Sequence, residues 1–499
     1  MKIHALAFAL LLAAITASAQ TPTAGITGRV TDANGAVVPG ATIKVTNLAT
    51  NIAQQTVSND AGDFVLPYLN PAAYSLEAQA GGFRTYKRAS FTLDVGQTLR
   101  LDIALEVGAA SETVNITDAP TALTTETGTR GEVITGAEIA ELPLDGRNFS
   151  DLALLSGGVI PKGDGGDGSF ATNGGRADNT GFLIDGMNNT QRRNTSAVIN
   201  PPIESIQEFK MLTSGFSAEY GRYAGGMLTA VTKSGSNRFH GSLYEFMRND
   251  VFDAKGYFDP ERLKLRRNQF GATISGPVRI PKLYDGRNRT FFLFAWDSLR
   301  EINGNAERAL TPTPEMLRGD FSNVLGTNGR PITLTDTVNR VPFANNQIPA
   351  NRFDPVAVKL LKYFPAPNLT GSAFNFVTQG NATNSFDSFS AKIDHTLSDK
   401  DRLTVGAFWR TRSTYNPVNG SRSPLPYFGS SNTPNELLTY IRYLRTFTPT
   451  CIWKRAPTIR AATTAKSGRA ATAIRIGLRK QASMAARKIR LPPARHTSC

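Results

Sequence analysis

The stretch that decides the fold reads GFLIDGMNN over Gly181–Asn189 and GFSAEYGRYAGGMLTAVTKSG over Gly215–Gly235. Short apolar strands alternate here with glycine-rich turns, and a strand of alternating polarity follows from Phe239. Alternation with a period of two places the apolar side chains on one face of a strand. The pattern predicts a small globular domain that leads directly into the first strand of a large sheet.

The charge of the 499-residue chain is concentrated at one end. The formal net charge is +15, from 55 Lys and Arg against 40 Asp and Glu. Residues 451–499 hold 12 of the basic residues and no acidic residue, which leaves 43 against 40 in the body. A near-neutral body argues against a nucleic-acid-binding surface. Both cysteines, Cys451 and Cys499, lie in the same tail, so the body has no disulfide, thiolate metal ligand or cysteine nucleophile.

The N-terminus has the features of an export signal. Lys2 gives a basic start, Ala5–Ile15 is apolar, and Ala17–Ala19 fits the small-residue cleavage pattern before Gln20. A buried helix is the alternative interpretation. The run is too short to cross a bilayer, and no later apolar segment reaches about 18 residues. We therefore expect residues 1–19 to be a cleaved signal peptide, and any membrane insertion to use β-strands.

Residues 21–107 predict a small β-sandwich. Ala41–Val45 and Leu99–Leu105 alternate with period two, and Gly-, Asn- and Asp-rich turns separate such runs. The sequence resembles the carboxypeptidase regulatory-like domain, a transthyretin-like sandwich. The matching motifs are Gly28–Asp32, Pro39–Ile43, Gly62–Phe64, Leu69–Pro71 and Gly82–Phe83. The resemblance does not imply peptidase activity, and no histidine of the chain forms an HxxE or HExxH zinc motif.

Residues 108–130 form a polar, threonine-rich connector. Within it, Ser111–Thr117 alternates weakly, as an extended peptide does. Such a segment can add to the edge of another protein's sheet through main-chain hydrogen bonds. A linker strand is the alternative interpretation.

Residues 131–235 predict a compact α+β domain. We expect strands at Gly181–Gly186, Lys210–Thr213 and Met227–Thr232. We expect short helices or turns at Ala137–Leu142, Ser150–Leu155 and Ile203–Phe209. Thr135 or Gly136 is the expected N-cap of the first helix. Asp185 precedes a glycine and has no partner base in the sequence, so the residues alone favour a turn aspartate over a catalytic acid.

The same region resembles the plug domain of TonB-dependent outer-membrane receptors. The motifs are Leu183–Gly186, Ile203–Phe209, Tyr220–Arg222, Gly225–Gly226 and Thr232–Gly235. With the preceding sandwich and the motif Leu142–Phe149, they are most similar to the Oar-like branch. The resemblance implies plug-motif roles for Asp185, Gly186, Tyr220, Gly221, Arg222, Gly225, Gly226, Lys233 and Gly235. It also places the TonB-binding segment at Glu112, Thr113, Val114, Asn115, Ile116 and Thr117.

From residue 236 to 450 the sequence changes to long alternating strands. The predicted strands are Phe239–Asn249, Gln269–Val278, Thr290–Arg300, Phe386–Ser398, Leu403–Ser413 and Leu437–Thr448. Their lengths suit a tilted membrane crossing, and aromatic residues in Ser242–Met247 and Leu403–Trp409 are expected near membrane interfaces. A soluble β-sandwich is the alternative. Glu301–Thr383 is predicted to be a long extracellular loop.

The tail from 451 to 499 is rich in Ala and Arg, and we expect it to lose the strand pattern. A frameshift near codon 450 is the favoured explanation, and a basic arm for nucleic acid or acidic lipid is the alternative. A plugged transporter barrel has about 22 strands. Six candidate strands cannot close such a barrel, so we expect these 499 residues alone not to transport.

The sequence therefore predicts a mainly β protein, in which a transthyretin-like β-sandwich and an α+β plug precede the first strands of an incomplete transmembrane β-barrel. The resemblance implies an outer-membrane location, surrounding lipid, an extracellular ligand of unidentified class, and energy from TonB and its inner-membrane complex. No catalytic set, nucleotide loop or metal motif is present, and the Gly163–Gly168 loop lacks EF-hand spacing. We expect no enzymatic activity, cofactor or nucleic-acid partner. The alternatives are a cell-surface carbohydrate- or peptide-binding adhesion protein and a secreted hydrolase with an accessory sandwich.

Overall fold

The computed structural model describes residues 23–109, 113–116, 128–141, 146–161, 170–191, 196–216, 220–221, 223–257, 261–326, 329–361, 363–370, 374–417, 429–448, 451–455 and 458–463. Several predicted features lie outside these residues: the signal peptide 1–19, the Gly163–Gly168 loop, Glu112, Thr117 and Arg222. No helix in the described ranges is long and apolar enough to cross a membrane.

The predicted β-sandwich is confirmed. Its strands are β1 (Ala24–Asp32), β2 (Thr42–Asn47), β3 (Ala53–Val57), β4 (Asp63–Leu69), β5 (Ala72–Gln79), β6 (Thr85–Leu93), β7 (Thr98–Arg100) and β8 (Ile103–Leu105). One sheet pairs β1 with β4, β7 and β8, and the other has the order β3-β2-β5-β6. Alternate residues of both sheets, among them Ile26, Ile43 and Phe64, form a shared buried core.

The second sheet of the sandwich gains a strand from the connector. Strand β9 (Thr113–Ile116) lies parallel to β6, with Thr85 opposite Thr113 and Arg88 opposite Ile116. The predicted extended segment is therefore a strand, and its pairing partner belongs to the same chain.

The middle domain, residues 130–235, is a five-stranded mixed sheet with short helices. Its strands are β10 (Arg130–Thr135), β11 (Val159–Pro161), β12 (Phe170–Thr172), β13 (Gly181–Ile184), β14 (Met187–Asn188), β15 (Ile206–Ser214) and β16 (Met227–Thr232). The order is β10-β15-β16-β13-β14, and β11 and β12 form a separate hairpin. Its helices are α1 (Gly136–Glu141) and 3₁₀ turns at Phe149–Leu155, Ala177–Asn179 and Ile203–Ser205.

The helix predictions for the middle domain are confirmed in part. Thr135 Oγ1 and N donate to the Glu138 carboxylate at 2.9 and 2.8 Å, and this capping arrangement places the start of α1 at the predicted residues. The predicted helix or turn at Ile203–Phe209 is wrong beyond Ser205, where β15 begins. Pairing with β10 and β16 on both sides satisfies the backbone of β15, and this overrides the weak helical pattern.

The large sheet contains the six predicted strands. They are β17 (His240–Asn249), β18 (Leu265–Pro277), β21 (Thr290–Ala309), β22 (Phe376–Ser398), β23 (Asp401–Asn416) and β25 (Asn435–Thr448), paired antiparallel in chain order. Short strands β19 (Arg279–Ile280), β20 (Tyr284–Asp285) and β24 (Ser430–Asn432) lie in the connections. Within the described residues the first and last strands of the large sheet do not pair, so the sheet is not closed.

The predicted loop at Glu301–Thr383 is too long at both ends. Strand β21 continues to Ala309 and β22 begins at Phe376, and the two strands pair throughout this extension. The polar side chains of these extensions do not alternate with apolar ones, so the sequence pattern does not reveal the pairing. The hydrogen bonds of the ladder join backbone groups and form without such alternation. The true connection is residues 310–375, which carry the short helices α2 (Pro314–Leu317) and α3 (Pro355–Leu361).

The predicted loss of strand structure at residue 451 is also wrong. Strands β26 (Cys451–Arg455) and β27 (Thr458–Thr463) both pair antiparallel with β25. The edge of β25 offers unpaired backbone groups that accept a strand of almost any composition. Residues 464–499 lie outside the described ranges.

The two faces of the large sheet differ in composition. Phe291, Leu293 and Ala295 of β21 are buried, on a strand that contacts the turn Ile203–Ser205 of the middle domain, and Trp296 lies on the opposite face. That outer face has a row of aromatic rings across neighbouring strands: Trp296 is opposite Phe389, and Phe389 is opposite Trp409. The Phe389 and Trp409 rings stack with centroids 5.4 Å apart. Such a row is typical of membrane β-barrels.

One of the predicted interfacial segments has aromatic rings on the inner face of the sheet. Tyr244 and Phe246, within the predicted interfacial segment Ser242–Met247, lie beside Arg147 of the middle domain. A one-residue change of register exchanges the two faces of a strand, so composition alone could not decide this.

Candidate functional site: the contact between the middle domain and the large sheet

The turn between β13 and β14 places a carboxylate at this contact. Asp185 and Gly186 have φ of +48° and +80°, the left-handed values of a two-residue hairpin turn. Asp185 is 4% exposed. Its Oδ1 accepts from the Thr232 backbone N at 2.9 Å, and its Oδ2 accepts from Thr232 Oγ1 at 2.7 Å. The predicted turn aspartate is therefore also a buried tie between β13 and β16.

The large sheet completes this network from the other side. The Tyr440 hydroxyl of β25 donates to Asp185 Oδ2 at 3.0 Å. Lys392 Nζ of β22 donates to Thr232 O at 3.2 Å and lies 3.4 Å from Thr232 Oγ1. All four side chains are buried. We call Asp185, Thr232, Lys392 and Tyr440 the Asp185 cluster. Within it, Thr232 contacts both the Asp185 carboxylate and the Lys392 ammonium group, which do not contact each other.

A small apolar patch surrounds the Asp185 cluster. Ile184, Met187, Val198 and Ile199 of the middle domain pack against Phe408, Leu438 and Tyr440 of the large sheet. The side chains of the cluster are buried beside this patch, and in such surroundings each hydrogen bond is electrostatically stronger and each unmade one more costly.

A second tie involves Arg147, which has a φ of +48° and is 8% exposed. Its guanidinium forms an ion pair with the Glu204 carboxylate and lies 4.0 Å from the centre of the Phe246 ring on β17. The neighbouring Tyr244 hydroxyl donates to Asp297 Oδ1 at 3.0 Å. We call Arg147, Glu204, Tyr244, Phe246 and Asp297 the Arg147 cluster. Arg147 Nε and Glu204 Oε2 are buried without a partner, so this tie is only partly satisfied.

The sandwich contacts the middle domain through its loop after β6. Lys210 Nζ on β15 donates to Val95 O at 3.2 Å. Glu208, two residues earlier, is 5% exposed and its Oε1 has no hydrogen-bond partner. Burial raises the pKa of Glu208 to about 7; Asp94 adds to the rise, and the Val95 backbone and Lys210 oppose it. Burial also lowers the pKa of Lys210.

A cavity of about 260 Å³ lies where the sandwich, the middle domain and the large sheet meet. Its lining includes Tyr74 of the sandwich, Asp185 of the middle domain, and Lys392 and Arg402 of the large sheet. The sandwich also meets a turn of the large sheet, where Asn51 Nδ2 donates to Asn288 Oδ1 at 3.2 Å.

The predicted plug-motif residues serve packing as well as this contact. A β-carbon on Gly226 would lie 2.4 Å from Met211 Cε, and one on Gly235 would lie 2.5 Å from Gly276 O of the large sheet. Close approach explains glycine at both positions. A β-carbon on Gly225 would lie 3.0 Å from Asn179 O. Lys233 is partly buried, which lowers its pKa, while Glu204 opposes that shift.

The predicted site residues do not all come together. Asp185 and Gly235 lie at the contact with the large sheet, whereas the described part of the predicted TonB-binding segment, 113–116, lies on the sandwich. Tyr220 packs edge-on against Phe216 with ring centroids 6.3 Å apart, within the middle domain. Gly221 follows it in the turn that leads toward Gly225.

Sequence reasoning assigned no role to several residues of the two clusters, among them Arg147, Lys392, Tyr440 and Glu204. Arg147 lies inside the motif Leu142–Phe149, whose pattern gives no role to the arginine. Lys392 and Tyr440 occupy inward positions of alternating strands, and a polar residue at such a position is the signal that could have revealed them. Glu204 stood within a quoted motif but had no visible partner. Among the described residues, no three His, Cys, Asp or Glu side chains group as metal ligands.

Two family matches cover separate parts of the chain. Residues 25–106 match the carboxypeptidase regulatory-like domain, which coincides with the sandwich. Residues 231–476 match the outer membrane beta barrel domain, which begins in β16 and includes β26 and β27. The second match continues beyond residue 450, where the sequence pattern predicted a break.

Similar proteins include two transporters and a siderophore receptor. The TonB-dependent transporter Oar of Myxococcus xanthus is 30% identical over 292 residues, which are 55% of this chain and 27% of the relative. The chain thus spans about a quarter of that curated relative. The outer membrane transporter YddB from Escherichia coli aligns at 12% identity and TM-score 0.42, over 66% of this chain and 38% of its own. The siderophore receptor PirA from Pseudomonas aeruginosa aligns at 15% identity and TM-score 0.26, over 68% and 57%.

Proposed function

Since this chain is a homologue of the Oar-like TonB-dependent transporters, we propose that it forms the plug and part of the barrel wall of an outer-membrane receptor. The receptor binds an extracellular ligand and admits it when TonB pulls on the plug. In this proposal the middle domain is the plug, the large sheet is the wall, and the sandwich stands at the periplasmic mouth. The chain binds and gates, and it catalyses no reaction.

The observation that carries the proposal is the chemistry of the contact between plug and wall. The Asp185 cluster and the Arg147 cluster hold the two together through a few buried polar groups, beside one small apolar patch. Each neutral hydrogen bond contributes about 0.5–1.5 kcal/mol net, and each bond to a charged group about 1.5–3 kcal/mol. Such ties keep the plug in place at rest, and a pulling force breaks them one at a time.

The connections of the large sheet support an orientation in the membrane. Residues 250–264, 310–375 and 417–434 join strands at one end, whereas the turn between β22 and β23 lies at the other end. Bacterial barrels have long extracellular loops and short periplasmic turns. The sandwich touches the short-turn end at Asn288, which fits a periplasmic position. The long connections then form the side that meets the ligand, and the outer aromatic row faces lipid.

A binding assay tests the proposal. A photo-crosslinking residue at Thr113 is expected to capture the periplasmic C-terminal domain of TonB when the purified chain is held in detergent micelles. Val114→Pro removes a backbone N–H donor from the segment and is expected to lower capture at least tenfold. The matched control Leu123→Pro, also in the connector, is expected to leave capture unchanged. Absence of any TonB adduct with the wild-type segment would overturn the proposal.

A further inference from the structure

The segment that the proposed function assigns to TonB is already engaged. Residues Thr113–Ile116 pair in parallel with Thr85–Arg88 of β6, and within the described chain no other strand pairs with this edge of β6. Strand addition by a partner uses main-chain N–H and C=O groups. In the observed arrangement the groups of β9 that face β6 are already bonded.

The covalent connection favours this engaged state. Only residues 106–112 separate β8 from β9, so a released segment stays tethered within about 25 Å of the end of β8. A short tether makes the pairing intramolecular and gives it a high effective concentration. TonB must compete with it from solution.

The pairing is nevertheless weak enough to exchange. It involves four residues, and parallel ladders are slightly less stable per residue than antiparallel ones. When β9 leaves, Thr85–Arg88 become an open strand edge, which is a template for a returning strand. The arrangement therefore has a closed and an open state of the same chain.

We infer that the sandwich holds the TonB-binding segment on its β6 edge, and that TonB engages the chain by strand transfer: residues 113–116 leave β6 and pair with a strand of TonB. The inference rests on the proposed function. It gives the sandwich a role of its own, as the domain that sets how readily TonB obtains its segment.

A reversible crosslink tests the transfer. In a background with Cys451→Ser and Cys499→Ser, the substitutions Lys87→Cys and Asn115→Cys place thiols at directly opposite positions of β6 and β9. Neighbouring strands lie about 4.8 Å apart, within the Cα separation that a disulfide accepts. The control pair is Lys44→Cys with Gln55→Cys, opposite residues of β2 and β3 on the far side of the same sheet.

Binding of the TonB C-terminal domain is then measured for oxidised and reduced forms. We expect the oxidised 87–115 pair to bind at least tenfold more weakly than its reduced form, and the 44–55 pair to bind equally well in both forms. Equal binding by the oxidised and reduced 87–115 forms would overturn strand transfer, because TonB would then be adding to the free edge of β9, while the proposed function would stand. Failure of the 87–115 disulfide to form would overturn the pairing itself. No binding by any reduced form would overturn the proposed function together with the inference.

Discussion

The interior of the middle domain and its contact with the large sheet are built differently. The interior is apolar: Phe149, Phe182 and Phe209 are fully buried among Ile, Leu and Met side chains. The contact with the large sheet depends on the Asp185 and Arg147 clusters and one small apolar patch. An apolar core is lost only by unfolding, whereas polar ties can be lost singly. The middle domain therefore resists unfolding more strongly than it resists separation from the large sheet.

The largest loss of stability is expected from a substitution in the interior of the middle domain. Phe209→Ala removes a fully buried ring from β15 and is expected to destabilise the middle domain by about 4 kcal/mol, through lost burial and the cavity left behind. Native-state hydrogen exchange of β15 and β16 measures the change. Leu154→Ala, at a position 41% exposed in the same domain, is the control and should change protection little. Equal effects of the two substitutions would contradict the apolar-core description.

The second largest loss of stability is expected at the Arg147 cluster. Arg147→Met leaves the Glu204 carboxylate, which is 13% exposed, without its cationic partner, and breaking a largely buried pair in this way costs about 3–4 kcal/mol. The double variant Arg147→Met with Glu204→Gln should recover most of that loss, because no uncompensated charge remains. Exchange protection of the middle domain reports both variants, and Arg176→Met, at an exposed position, is the control. A double variant no more stable than the single one would show that the charge pair is not the source of the effect.

The sandwich contact should depend on pH. The pKa of Glu208 is about 7 in the folded chain, above its ordinary 4.5, so stability from the protonated form is complete below pH 4.5 and is lost as pH rises through 7. The full loss is about 3 kcal/mol. Glu208→Gln should remove this dependence and raise protection of β15 at pH 8, whereas Glu132→Gln on exposed β10 should not. The same pH slope in Glu208→Gln and wild type would contradict the assignment.

The smallest expected effect is at the Asp185 cluster. Tyr440→Phe removes one hydroxyl from the network and leaves Thr232 donating to both Asp185 oxygens, so we expect a loss of about 1.5 kcal/mol, the low end for a bond to a charged group. The loss should be confined to the contact: exchange should quicken at the β13–β14 turn, while β15 stays protected. Tyr415→Phe, on an exposed part of β23, is the matched control. Uniform loss of protection across the middle domain would show that interior and contact do not separate as described.

Much of the architecture could be predicted because its signals are local. Alternation in Ala41–Val45 and in the six long strands reports which face is buried, and Asp185-Gly186 has the chemistry of a hairpin turn. The capping pair Thr135 and Glu138 likewise lies within one helical turn. Each of these features depends on residues within a few positions of one another.

The candidate site could not be predicted in the same way. Tyr440 and Asp185 are 255 residues apart, and Lys392 reaches Thr232 across 160 residues. These contacts depend on the register of strands in the large sheet and on how the middle domain sits against it. An alternating strand pattern predicts which face is apolar, but it does not predict which residues pack against that face.

The sequence by itself determined the order of sandwich, middle domain and large sheet, and the family likeness of each, because period-two patterns and glycine turns are encoded locally. Only the tertiary structure decided that residues 113–116 pair with β6, that Tyr244 faces inward, and that β21 and β22 pair as far as Ala309 and Phe376. The physical reason is common to all three. Backbone hydrogen bonding between strands is blind to side-chain identity, so partner and register are set by the assembled fold.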